Sequence, residues 1–407
     1  MAAWATKCLN RSKRVFESAD IRLRYRLMKS IVLKLGLILV SLAFIELILR
    51  ITGLSFPVWS IADDITGWTL KPNARGWNLR ESFQYIEISD QGFRGPSVSV
   101  KKPENGLRIA VLGDSFIEGK QVAFENLLTS RLQYYLQVCR PNTSVEVLNF
   151  GVSGFGTAQE LRLLETKVRQ FTPDIVIGAF YLGNDVKNNS KLLSGNGEGS
   201  LQPYYTLSGE ALELDETFKS SPGFAERRYG FVRNKLLTLY FFQIGKESFN
   251  ILRTLLNGDD HTEAEREAFL FKETEDPAWR NAWVLSMELL ERMHLEAERQ
   301  HAQFLLGLIS HPAQVTPNNM ERSELLKRYN INDLWYRDRE IISLGQEKGF
   351  DVISFGMEFE KQRSASNECF HGQFHNGAAC DGHWNEHGHE VAAQILAQKL
   401  CLQPPSQ

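Results

Sequence analysis

Ser115 ends the tripeptide Gly113-Asp114-Ser115, and His383 sits near the other end of the chain in Asp381-Gly382-His383-Trp384-Asn385. A serine hydroxyl is a poor nucleophile at neutral pH unless a histidine takes its proton. That histidine in turn needs a carboxylate to fix its tautomer and stabilise the imidazolium. Asp381, two residues before His383, is the carboxylate this stretch offers. The rival reading of Gly-Asp-Ser is an ordinary turn, since such tripeptides are common in turns.

The flanking elements favour chemistry. Leu107 to Leu112 is a short apolar run, read as a buried strand that delivers Ser115 at its carboxyl end. From Val122 to Cys139, Leu127, Leu128, Leu132 and Leu136 recur at helical spacing. A strand-to-helix turn places a side chain at the carboxyl edge of a parallel sheet, where open α/β sheets keep their sites. A second strand, Val145 to Phe150, runs into Asn149-Phe150-Gly151-Val152-Ser153-Gly154. A third, Asp174 to Tyr181, runs into Leu182-Gly183-Asn184-Asp185. Both leave glycine and small polar residues at strand ends, where backbone N–H groups and an asparagine amide can meet a developing oxyanion.

Serine, glycine, asparagine and histidine in this order, at the ends of successive strands, resemble the SGNH family of GDSL-type esterases and acylhydrolases. The resemblance covers 107–400 in outline and is specific in Gly113–Ser115, Asn149–Gly154, Gly183–Asp185 and Asp381–His389. It implies Ser115 as nucleophile and His383 as base. The oxyanion hole would be the N–H groups of Ser115 and Gly154 with the Asn184 side chain. Two positions depart from the family pattern. Leu182 stands where glycine is usual, and Asp381 is two residues before His383 rather than three. The shorter Asp-x-His-Trp ending resembles the branch that holds alginate-type polysaccharide O-acetyltransferases. Gly388-His389 follows His383 as in the family's ending, which selects His383 over His387 or His389 as the base.

Further apolar runs at Phe304–Ser310 and Phe350–Ser354 alternate with helical patterns at Ala158–Gln170, Ala278–Gln300 and Asp333–Lys348. This alternation predicts an α/β fold with a doubly wound, flavodoxin-like parallel sheet and helices on both faces. With 407 residues, 43% of them hydrophobic, the chain can bury a large core. A net charge of −3 without a basic stripe in the catalytic region gives no reason to expect nucleic acid.

Ile31 to Ile51 is long enough, at about 1.5 Å per residue, to cross a bilayer core of roughly 30 Å. Lys34 and Arg50 lie near its ends, and Glu46 can pair with Arg50. The basic segment before it holds Lys7, Arg11, Lys13, Arg14, Arg22, Arg24, Arg26 and Lys29. By the positive-inside rule residues 1–30 stay cytoplasmic, 31–52 form a signal-anchor, and the rest is exported. A cleaved signal peptide is the alternative, although no small-x-small cleavage site follows.

Four cysteines fall in the exported part, and four can pair in three ways. Cys139 and Cys401 end two helices that a doubly wound sheet commonly lays side by side. Cys369 and Cys380 would close a small loop before Asp381. Two disulfides with those partners are expected, against free thiols filling core volume.

Two segments lie outside the shared core. A β-rich lead-in at about 60–100 is expected to pack against the sheet edge. An insertion at about 188–274 opens on a glycine–serine run near 194–200 and holds a helix near Arg233–Leu256. It could cap the site or pack on the core. The catalytic domain as a whole spans 105–402. His371, His375, His383, His387 and His389 offer a metal site as a rival chemistry, but Gly372, Gly377 and Gly382 interrupt the helix that such spacing needs.

The expected protein is a membrane-tethered, extracytoplasmic serine esterase that needs no cofactor. Its expected substrate is a small ester or acylated carbohydrate, with acetyl as the favoured acyl group. Acyl transfer to cell-envelope polysaccharide is one alternative, and a catalytically silent carbohydrate-binding protein on the same fold is another.

Overall fold

The apolar span becomes part of one long N-terminal helix, α1 (Ala2–Thr52), in a computed structural model that describes residues 2–194, 201–209, 211–257, 269–363, 368–374 and 379–402. The glycine–serine run at 195–200 and His375 lie outside the described residues. Between Arg24 and Thr52, α1 is apolar enough to cross a membrane, and none of its most apolar window is buried.

After α1 the chain makes two antiparallel hairpins, β1 (Ser60–Asp63) with β2 (Gly67–Leu70), and β3 (Arg75–Asn78) with β4 (Gln84–Glu87). These are the lead-in. Its last residues wedge into the main domain: Phe93 packs on Phe150 and Phe171 with centroids 5.4 and 6.0 Å away. Arg94, 2% exposed, donates to the carbonyls of Glu118, Gly119 and Val122. The helix expected from Val122 starts only at Leu128, because Ala123 and Leu127 are extended, with ψ of 151° and 148°, around a short turn at Phe124–Asn126.

The main sheet has five parallel strands: β5 (Gly106–Gly113), β6 (Ser144–Gly151), β7 (Ile175–Tyr181), β10 (Gln303–Ile309) and β11 (Asp351–Ser354). Their spatial order is β11-β10-β7-β5-β6, so the chain starts near one side, steps to the edge and then reverses across the sheet. The antiparallel pair β8 (Tyr204–Ser208) and β9 (Ala211–Asp215) lies in the insertion. A last short pair, β12 (His371–Gly372) and β13 (Ala379–Trp384), carries His383.

Successive strand residues point to opposite faces, and here both faces are covered. Ile109, Val111 and Ile177 pack with Leu132 and Leu136 of one helix and Val391 and Leu396 of another. Ala110, Leu112 and Val176 pack on the other side with Leu161, Leu164, Leu289 and Met293. In chain order the helices here are α2 (Ser115–Glu118), α3 (Leu128–Cys139), α4 (Thr157–Thr166), α5 (Asp185–Asn189) and α6 (Lys191–Ser194), followed later by α10 (Pro277–Arg299), while Val391 and Leu396 belong to the last helix, Glu386–Leu402. Each fully buried leucine of this kind is worth about 1.5–3 kcal/mol.

Within the insertion, α7 (Pro222–Tyr229) comes first, and α8 (Phe231–Leu236) and α9 (Tyr240–Asn257) replace the single helix expected at Arg233–Leu256. At the break, Gln243 donates to the Leu237 carbonyl at 2.9 Å and Arg50 of α1 to the Thr238 carbonyl at 3.1 Å. The chain closes with α11 (Pro312–Val315), α12 (Asn319–Arg328), α13 (Tyr336–Lys348), α14 (Phe355–Arg363) and α15 (Glu386–Leu402). Cys139 at the end of α3 is bridged to Cys401 in α15, with Cα atoms 6.1 Å apart. Cys369 is bridged to Cys380, with Cα atoms 5.0 Å apart. Both expected pairings form.

Candidate active site

Ser115 begins the first turn after β5. Asp114 caps that turn by accepting the Phe116 N–H at 2.9 Å, which fixes the serine at the strand's carboxyl end. His383 reaches it from the far end of the chain: the Ser115 hydroxyl and His383 Nε2 are 2.8 Å apart. On the other side of the imidazole, Nδ1 is 2.7 and 2.8 Å from the two carboxylate oxygens of Glu81. An ionised carboxylate only accepts, so Nδ1 carries the proton and Nε2 is left to accept from the serine. This is the arrangement a serine nucleophile requires.

The carboxylate is therefore not the one the sequence suggested. Asp381 is exposed and accepts the N–H of Gly382 at 2.8 Å. Cys380 and Gly382 both have positive φ, 60° and 82°, so the regular alternation of β13 is broken and Asp381 turns to solvent. Glu81 comes instead from the tip of the β3–β4 hairpin, itself at φ 64°. A non-glycine residue in that region costs energy and is held there only by its surroundings. Asn78 supplies part of that hold by donating to the carbonyls of Arg80 and Lys120, at 3.1 and 3.2 Å. Burial raises the pKa of Glu81, but the hydrogen bond and charge of His383, with a further bond from Gln121, outweigh it and leave it lowered. The group is ionised at neutral pH.

The loop carrying His383 is stiffened from behind. The buried His371 donates from Nδ1 to the Gly382 carbonyl at 2.7 Å, so its Nε2 accepts from the Ser310 hydroxyl at 2.8 Å. The Ser310 oxygen in turn accepts the indole N–H of Trp384 at 2.9 Å. Burial lowers the pKa of His371 to about 3, so it stays neutral and keeps these roles. His389 is likewise buried at about 3 and accepts the Leu128 N–H at 3.2 Å. His387 lies 3.5 Å from Glu368. Among the described residues no group of three or more His, Cys, Asp or Glu is placed to hold a metal ion.

The expected oxyanion donors Gly154 and Asn184 lie in the loops after β6 and β7. Gly154 is exposed at φ 82° in the loop after β6, with the Trp68 ring 3.4 Å from where a Cβ would stand. Trp68 donates to the Ser153 carbonyl at 3.2 Å, and Glu118 accepts the Ser153 N–H at 2.7 Å. Asn184 donates one amide hydrogen to Asp114 at 2.7 Å, which leaves the second for a ligand. Leu182, which stands at the family's glycine position, is 6% exposed and packs into the core.

Beneath the serine turn lie three buried carboxyls, Asp114, Glu160 and Asp185. Burial raises all three pKa values, and for Glu160 and Asp185 the charge of Asp114 adds to it. Sequence reading missed Glu81 because its hairpin carries no signal of catalysis. The only hint is a glutamate in a turn between alternating segments.

No protein-family model matches the chain, and no curated protein matches its sequence. Solved structures do align. The acetylxylan esterase Axe2 of Geobacillus stearothermophilus is 11% identical, over 74% of this chain and 98% of that one, with a TM-score of 0.35. The acetyl xylan esterase AlAXEase is 11% identical over 72% of this chain and 100% of that one, also with a TM-score of 0.35. LAE5, an alpha/beta hydrolase from the metagenome of Lake Arreo, Spain, is 14% identical over 75% and 99%, again with a TM-score of 0.35. These likenesses are too distant to decide what the chain does.

Proposed function

We propose that this protein is a serine esterase of the SGNH type, tethered to the membrane by α1, that removes an acetyl group from a carbohydrate ester on the exported side. The observation that carries the reading is the line Ser115–His383–Glu81, with its 2.8 and 2.7 Å contacts.

In the proposed reaction Ser115 Oγ attacks the acyl carbonyl carbon while its proton passes to His383 Nε2. The oxyanion is held by the N–H groups of Ser115 and Gly154 and by the Asn184 amide. Glu81 stabilises the imidazolium without taking its proton. The tetrahedral intermediate expels the sugar hydroxyl, which leaves with the proton from His383, and Ser115 remains acetylated. Water then attacks the acyl-enzyme, again deprotonated by His383, and acetate departs. A second sugar hydroxyl in place of that water would give acyl transfer.

Support for the tether comes from the insertion. Tyr229, Phe231, Val232 and Phe249 of α7–α9 are 65–76% exposed, as an apolar face left to lipid would be. Phe249 lies on α9, whose start meets the end of α1, where Glu46 pairs with Arg50 and Arg50 stacks over Tyr240 at 4.8 Å. A reporter active only in the cytoplasm, fused after Gln407, should be silent; an active fusion reverses the topology.

The activity is tested by acetate release from p-nitrophenyl acetate and from acetylated xylo-oligosaccharides, with and without a polysaccharide acceptor. Release lost in Ser115→Ala supports the esterase, and acceptor-dependent label would make it a transferase. Silence of the folded parent on every ester would leave a binding protein.

A further inference from the structure

We propose that the β3–β4 hairpin, besides supplying Glu81, forms a binding strip for a neutral sugar chain. This deepens the carbohydrate-esterase reading and rests on it. Trp77 and Phe83 stack with centroids 4.3 Å apart and planes 9° apart, and Tyr85 meets Trp77 edge-on at 5.3 Å. Phe83 and Tyr85 are nonetheless 49% and 45% exposed. Three rings held rigidly by one another, yet left to water, are an unusual use of aromatic surface. Flat apolar rings with polar groups at their edges suit the apolar faces of sugars.

The strip lies between two hollows that share Gln84 as a lining residue. One, of about 460 Å³, is lined by Ser82, Phe83, Gln121, Gln373 and Asn385. The other, of about 710 Å³, is lined by Trp77, Tyr85, Arg75 and Glu87. In the first hollow, Ser82 Oγ and Gln121 Oε1 are buried without a hydrogen-bond partner, in residues only 4% and 6% exposed. Unpaired buried polar atoms are costly, and a ligand hydroxyl that reached them would satisfy them. Both flank the triad: Ser82 follows Glu81, and Gln121 hydrogen-bonds to it.

Charge narrows the ligand. Arg75 on the hairpin face is 3.7 Å from Glu87, the Arg94 guanidinium at the larger hollow is turned to backbone carbonyls, and Glu386, Asp90 and Glu125 add negative charge to the two hollows. A polyanionic glycan would be repelled, and a neutral one would not. Two adjoining hollows fit several consecutive rings better than a single sugar.

The test is titration calorimetry of full-length Ser115→Ala protein against neutral xylo-, manno- and gluco-oligosaccharides of four to six units, alongside oligogalacturonate. The proposal expects a neutral chain to bind, and Phe83→Ala to weaken it by about tenfold, in line with loss of one stacked ring. Far-ultraviolet circular dichroism and the melting temperature of Phe83→Ala should match those of the parent, so that weaker binding is not loss of the fold. No binding by any neutral chain, preference for oligogalacturonate, or equal affinity in Phe83→Ala overturns the strip. Its failure is separable from that of the esterase reading, which falls if Ser115 gives no turnover of p-nitrophenyl acetate while sugar binding persists.

Discussion

Glu81 and His383 are separated by 302 residues of sequence and by 2.7 Å in space. The carboxylate paired with the His383 imidazole thus comes from before Ser115 in the chain, on a hairpin of its own. Replacing it with the isosteric amide lets Nδ1 accept from the new amide, and so favours the tautomer with Nε2 protonated. Glu81→Gln should lower kcat on the order of 10³–10⁴-fold, as expected when the imidazole adopts the wrong tautomer. Asp381→Asn should stay within a few-fold of the parent, because that side chain is exposed and, among the described residues, accepts its neighbour's N–H rather than that of His383. Steady-state rates on p-nitrophenyl acetate decide between them, and the reverse ranking restores Asp381 as the orienting group.

Asn184 and Gly154 should separate rate from binding. Asn184→Ala is expected to cost about 10²–10³ in kcat with little change in KM, the usual loss for one oxyanion donor. Gly154→Ala should also reduce kcat, since its φ of 82° disfavours any side chain and the new methyl meets Trp68. A rise in KM alone for either variant would remove it from the oxyanion hole.

Much of this was readable beforehand. All five sheet strands follow from short apolar runs bounded by glycines and polar residues, and both disulfide pairs match the expected ones. Those signals are local, and the physics behind them is local too. Glu81 was not readable because its role comes from a tertiary meeting of hairpin tip and β13, and one glutamate in a turn looks like any other. The insertion's helix was legible as apolar periodicity, but its break was not. The carbonyls of Leu237 and Thr238 are taken by Gln243 and by Arg50 of the distant α1.

Buried histidines give the fold a measurable acid dependence. His389 has a folded pKa of about 3, pushed down first by burial, so the folded protein refuses a proton that the unfolded chain binds below about 6.5. Its contribution is present above pH 6.5 and is lost as pH falls toward 3, at up to about 1.4 kcal/mol per pH unit. The buried carboxyls Asp114, Glu160 and Asp185, raised by burial, act in the opposite sense above about pH 4. The comparison must therefore be differential. Between pH 7 and pH 5, His389→Gln should lose less stability in urea melts than the parent does. Parallel losses would show that His389 does not carry the effect.

The Cys369–Cys380 bridge lies just before the strand end that presents His383. Removing it with Cys369→Ala and Cys380→Ala should cost roughly 3 kcal/mol by the chain-entropy argument. It should also depress kcat on p-nitrophenyl acetate, because His371 then holds the Gly382 carbonyl alone. Unchanged kcat with a lowered Tm would make the bridge purely structural.

The most direct measurement is intact-mass analysis of the full-length protein after treatment with a fluorophosphonate. The account predicts one adduct, mapped to Ser115, in the parent. It predicts none in Ser115→Ala, slow labelling in His383→Ala and Glu81→Gln, and parent-like labelling in His387→Ala. Equal labelling of parent and Ser115→Ala, or a folded parent that takes no adduct, would contradict it.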